Sequence, residues 1–310
     1  MEWCIYKILV IDLLKNMVLL IDQKTSGILT QIKIPENHTP ILLEYNREQQ
    51  KACLITKHEN NGSVFIINLT NYKLYRLPVD FPAPLQCTVA PDFQTIYFID
   101  QTAVLQRLDM TTLTIAPIAQ PDNATCVGIV CANHKIYTAW EAKESGSVAV
   151  FKPDGEFILE YQLEAIPTNL SIHHEKLLVT YTESRLHGEG LAIFKENALP
   201  IYLSFQSAET AKALHAYPCN IAIDSASNHA YIINEDSCSI TVIDLNMDQI
   251  IGAFPLGRSI TNLYLLPNPK FAIATSNMFA DLSVIDLINQ RLLSISNSNC
   301  EFANMLSVLA

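Results

Sequence analysis

Glycine is scarce in this 310-residue chain, at nine, and only 16% of the residues are charged, against 49% apolar. That balance excludes a disordered chain, which lacks the apolar surface needed to offset conformational entropy. None of the eight cysteines forms a C-x-x-C pair, so zinc-ribbon and thioredoxin-like patterns are absent. There is no G-x-S-x-G, no P-loop and no G-x-G-x-x-G, hence no nucleophile elbow and no glycine cradle for phosphates. His173-His174-Glu175 does not have the four-residue histidine spacing of a helical zinc site.

A long uninterrupted apolar run is missing too. Residues 1–22 read MEWCIYKILVIDLLKNMVLLID. Glu2 stands where a signal peptide carries basic residues, and Lys7, Asp12, Lys15 and Asn16 break the run well short of the ~20 apolar residues of a membrane helix. Two strands around a polar turn fit the segment better. With no export signal, Cys4, Cys53, Cys87, Cys126, Cys131, Cys219, Cys238 and Cys300 read as reduced thiols in a cytoplasmic protein. The net charge of −11 repels phosphate backbones and anionic lipid. The expected partner is therefore a protein or a small polar ligand, with no nucleic acid and no membrane.

What is present is a repeat. An alternating strand ending near Asp or Asn recurs: VLLID from Val18, VFIIN from Val64, VLQRLD from Val104, VAVFKPD from Val148, LAIFKEN from Leu191, ITVID from Ile240 and LSVID from Leu282. Those starting positions are separated by 46, 40, 44, 43, 49 and 42 residues. Such periods are the mark of propeller blades, each a four-stranded sheet. In the clearest unit, 220–224, 229–234, 239–244 and 249–255 are four short strands, rich in β-branched residues and bounded by Asp, Asn, Ser or Pro.

The ends set the closure. Residues 7–30 supply a second, third and fourth strand but no innermost one, and 302–310 (FANMLSVLA from Phe302) match the innermost pattern of ITNLYLLP from Ile260. The expectation is an all-β single domain over 1–310. It is a seven-bladed β-propeller with four-stranded antiparallel blades, closed by the C-terminal strand pairing with the N-terminal strands. Blades are expected at 1–33 plus 302–310, 40–77, 84–119, 124–163, 167–204, 218–255 and 260–296.

Residues 228–267 resemble the YVTN-type propeller repeat: Ala230 to Asn234 match its AYVTN-like strand and Thr241 to Asp244 its VSVID-like strand. The unit over 271–286 is similar, and the other blades match in architecture only. The resemblance implies the fold and a scaffold whose members bind partners or carry enzyme-like pockets. It implies no particular reaction.

In a propeller, a ligand site lies at the channel mouth, where innermost strands begin and where the second strand turns into the third. Aligning the innermost strands gives one position per blade: Leu42, Gln86, Cys126, Asn169, Asn220, Asn262 and Asn304. Gln86 and the four asparagines are the candidate binding arc. The asparagines are also candidate ligands for a divalent cation, calcium or magnesium, with acids from the adjoining turns: Glu59, Asp100, Glu141, Glu144, Glu183, Glu189, Glu235, Asp236 and Asp281. Asn beside Glu or Asp at a mouth resembles the calcium-dependent lactonase-like propellers. The alternative role for the asparagines is turn chemistry, bonding nearby backbone groups. His58, His187 and Glu189 are the candidate catalytic groups, since a histidine beside a carboxylate can act as general acid and base.

The insertion at 207–216 (SAETAKALHA) favours a helix, acting as a lid, a docking element or a plain connector. Three functions remain from this reading: a non-catalytic binding module using its channel mouth, a metal-assisted hydrolase or lyase with its site there, or a structural repeat protein within a larger assembly.

Overall fold

The computed structural model describes residues 7–22, 27–119, 124–143, 145–184, 186–205, 215–268, 270–276, 278, 281–295 and 302–309; for 294, 295 and 302–308 only the backbone is described. These residues form 28 strands in seven four-stranded antiparallel sheets. The innermost strands are β4 (Thr39–Asn46), β8 (Pro84–Val89), β12 (Thr125–Ala132), β16 (Ile166–His173), β20 (Pro218–Asp224), β24 (Asn262–Leu265) and β28 (Phe302–Leu309), and each packs beside the next in a closed ring. The chain is a seven-bladed β-propeller.

Blade 1 is composite, in the order β28, β1 (Lys7–Asp12), β2 (Met17–Asp22), β3 (Gly27–Lys33). Lys7 faces Leu309 and Asp12 faces Phe302, so the two ends of the chain close the ring as the pattern of apolar residues requires. Blades 2 to 7 follow in chain order from β4, β8, β12, β16, β20 and β24.

The core lies between blades. Successive side chains of a strand point to opposite faces, and both faces of each inner strand meet a neighbouring blade. Leu9 and Ile11 pack with Leu54 and Phe65 of blade 2. Ile8 and Val10, one residue out of phase, pack with Ile273 and Leu282 of blade 7. The second strand β5 (Lys51–His58) is buried throughout its middle, whereas the outermost strand β7 (Lys73–Pro82) is largely exposed or half-exposed. That two-sided burial makes second and third strands read as nearly continuous apolar runs.

The scarce glycines serve close approach more than turning. A side chain at Gly190 would collide with the Leu203 carbonyl oxygen and the Tyr181 hydroxyl, and one at Gly146 with the ring of Pro167. Many left-handed turn positions fall instead to other residues, such as Asn16, Asn133, His134 and Asn228. Asn tolerates that conformation best among them.

Candidate functional site

One end of the ring gathers the starts of the innermost strands and the turns between second and third strands; this is the mouth. A β-bulge interrupts the pairing here in several blades, at Pro40/Leu42, Pro84/Gln86, Cys126/Gly128, Pro167/Asn169 and Pro218/Asn220. Bulges re-aim side chains at strand ends, and here they fall on the aligned positions.

The asparagines bond from blade to blade. Asn169 Nδ2 donates to the Cys219 carbonyl at 3.0 Å, and Thr168 Oγ1 donates to the Pro218 carbonyl. One blade further, Asn220 Nδ2 donates to Asn262 Oδ1 at 3.0 Å, while its Oδ1 accepts from the Leu263 amide at 3.3 Å. The Cys219 thiol points to the Thr261 carbonyl at 3.6 Å. Asn169, Asn220 and Asn262 therefore form a chain of staples across blades 5, 6 and 7. They bond across the gap between blades. Asn304 lies in β28, and its side chain is outside the described residues. The Gln86 carboxamide has no hydrogen bond among the described residues and is half-buried.

Asn220→Ala is expected to cost about 1–3 kcal/mol, since it removes two bonds and leaves Leu263 N–H short of its acceptor. Urea unfolding with and without calcium checks this. The expected loss is equal in both conditions; a loss seen only with calcium would make the staple a cation site.

The catalytic candidates are dispersed. His58 stacks on His38 at 5.3 Å in blade 2, and His38 Nδ1 pairs with Thr56 Oγ1 at 2.8 Å. Burial, then the neighbouring His58, push the His38 pKa down. In blade 5, His187 stacks on Tyr202 at 4.3 Å, nearly parallel. Tyr202 belongs to the outermost strand β19 (Ile201–Ser204), so the ring turns away from the axis. Glu189 is buried and accepts from the Ala216 and Tyr217 amides, with His215 Nδ1 at 3.3 Å from its other oxygen. It anchors the segment entering blade 6. Residues 206–214, most of the insertion expected to be helical, lie outside the described residues.

The acids divide into two groups. Asp100 is buried and folds its own turn, accepting from the Thr102 and Val104 amides. Asp281 receives two bonds from Arg258, at 2.9 and 3.1 Å. Glu59, Glu183 and Asp236 are exposed, and Glu141 and Glu235 half-exposed. Burial, then the charge of Asp236, hold the Glu235 carboxyl above its ordinary range. Glu144 lies outside the described residues. Among the described residues, no group of three or more His, Cys, Asp or Glu side chains is placed to hold a metal. The six described cysteines are free; Cys53, Cys87 and Cys126 are buried.

Two features were missed in the sequence. Large apolar side chains stand exposed around the mouth: Leu13, Leu14, Leu85, Leu186, Tyr217 and Met278. Each sits in a turn at the mouth or at the start of an innermost strand. The other is Glu44, an acid within innermost strand β4. Glu44 is half-buried near the end of that strand away from the mouth, and one carboxyl oxygen lies 3.4 Å from the Val89 amide and 3.5 Å from Thr88 Oγ1 of blade 3. Burial dominates those bonds and pushes its pKa up to about 7. The signal was available, because Glu44 interrupts PILLEYN, an otherwise apolar inner strand.

Comparison with known proteins gives the fold. No family profile and no curated protein matches the sequence. Among solved structures, a functionally unknown protein from Desulfotomaculum acetoxidans superposes with a TM-score of 0.74, at 13% identity over 98% of each chain. Hydrazine synthase of Kuenenia stuttgartiensis follows at a TM-score of 0.70, 12% identity, over 87% of this chain and 89% of that one. Apo AztD from Citrobacter koseri matches at a TM-score of 0.55, 11% identity, over 99% of both chains. Identities this low establish shared architecture and no shared chemistry. No helix among the described residues is long and apolar enough to cross a membrane.

Proposed function

We propose that this propeller is a non-catalytic binding module that receives a partner protein on its mouth face. The observation that carries the reading is the set of exposed apolar side chains there, Leu13, Leu14, Leu85, Leu186, Tyr217 and Met278, on loops of several blades. Exposed apolar side chains ringed by polar ones favour interaction surfaces. The same turns hold five solvent-reached acids, Glu59, Glu141, Glu183, Glu235 and Asp236, against Lys15, Lys57 and Lys143. An apolar surface with acidic surroundings suits a partner segment carrying leucine-like anchors and basic flanks. The YVTN-like match over 228–267 supports placement in that repeat family, and the chain's composition supports a cytoplasmic setting.

The test is capture from source lysate by the wild type and by Leu14→Asp/Leu186→Asp/Met278→Asp. A basic partner is expected with the wild type, lost in the triple variant and weakened by added salt. Leu199→Asp/Met247→Asp, on turns at the other end, should retain it. An identical set of captured proteins from both forms would sink the reading.

A further inference from the structure

At the end of the ring away from the mouth, a groove of about 880 Å³ opens between blades 4 and 5. One wall is a row across the sheet of blade 4: Tyr137 faces Val150, and Val150 faces Leu159. The other wall comes from blade 5, with Leu177 at its base and Lys176, Lys195 and Glu196 at its rim.

Tyr137 is only 8% exposed as a residue, but solvent reaches its hydroxyl, which has no hydrogen bond to protein among the described residues; the residue lines the groove. A hydroxyl that only water satisfies can exchange that water for a ligand's polar group at little cost. Tyr161, half-exposed, adds a second hydroxyl without a hydrogen bond to protein among the described residues. Lys135, Glu175 and Glu196 line the same space and form no ion pair among the described residues. Lys176 and Lys195 share the buried Asp248 of blade 6, Lys176 at 2.6 Å.

The charges around the groove cancel. The two lysines on Asp248 leave one positive charge and Lys135 adds one; Glu175 and Glu196 remove two. A ligand with a net charge gains nothing from such a lining. A fitting ligand must accept from the phenols and Lys135, and donate to the glutamates, over a short span. A hydroxyl group does both. We propose that this groove binds a neutral polyhydroxylated ligand, a saccharide, through Tyr137, Tyr161, Lys135 and Glu196. This site is independent of the mouth face and of its partner.

Saturation-transfer NMR with glucose, maltose, cellobiose and N-acetylglucosamine at millimolar concentration tests it, with phenylalanine and benzoate alongside. At least one sugar is expected to show transfer. Tyr137→Phe removes a hydroxyl with no protein partner, so it should keep the wild-type melting midpoint and weaken sugar binding about fivefold. Ala198→Trp, an exposed position on the rim, should block the groove and abolish transfer. The proposal is overturned if no sugar shows transfer, if transfer survives Ala198→Trp, or if only benzoate or phenylalanine binds.

Discussion

Glu44→Gln is expected to stabilise the protein above neutral pH by about 3 kcal/mol, and to change little at pH 5. The carboxyl of Glu44 titrates near 7 in the folded protein, against 4.5 for an unperturbed glutamate. A raised pKa means that the folded state holds the proton more tightly than the unfolded state. Stability is then greatest below about 4.5, falls as pH rises towards 7, and stays low above it. Burial causes the shift, since the ionised form loses its water inside the ring; the Val89 amide and Thr88 hydroxyl oppose it without cancelling it. The thiols packed nearby, Cys53 and Cys87, are themselves held protonated by burial first and by Glu44 second. They offer no positive charge. Glutamine keeps an acceptor for Val89 and carries no charge at any pH. Urea unfolding at pH 5, 6, 7 and 8 decides it. The wild type should lose stability across that series and the variant should not; parallel slopes would remove Glu44 as the cause.

Deleting 302–310 is expected to abolish cooperative unfolding altogether. β28 is the innermost strand of blade 1, and five residues of β1 pair with it, Lys7, Ile8, Leu9, Val10 and Asp12. It also packs against β4 on one side and β24 on the other. Without it, β1 presents a bare inner edge. The ring opens at a point where Leu9 and Val10 are now fully buried. An open apolar edge is also a template for aggregation. The loss rivals the about 5–15 kcal/mol that a folded domain has in total. A circular permutant with 302–310 placed ahead of Met1 provides the control. Between Leu309 and Lys7 it leaves residue 310 and residues 1–6 as a connecting loop, and β28 can pair as before. Its melting transition should approach that of the full chain. A truncated chain that melts cooperatively near the wild-type midpoint would show that the closure is dispensable.

Much of this architecture could be read from the residues. The spacing from Val18 to Leu282, the four strands over 220–255 and the match of 302–310 to an innermost strand led to seven blades and their closure. They did so because strand burial is a local matter of alternation, with inner strands buried on both faces whatever their neighbour. The mouth was legible only as a location. Asn169, Asn220 and Asn262 were found by alignment, but Asn169 bonds Cys219, and Asn220 bonds Asn262 and Leu263, each one blade and 42 to 50 residues away. Glu189 was expected beside His187 and instead holds the backbone at Ala216 and Tyr217.

The sequence by itself determined the strands, the blade count and the closing strand, since each follows from which residues seek burial along a short stretch of chain. Only the tertiary structure decided which polar groups are satisfied and which are not. It paired the asparagines across blades, set Glu44 against blade 3, and placed Tyr137 in the lining of a groove without a hydrogen-bond partner among the described residues. Those outcomes depend on groups that the ring brings together from distant blades, and hydrogen bonding and desolvation act at distances of a few ångströms that no spacing along the chain encodes.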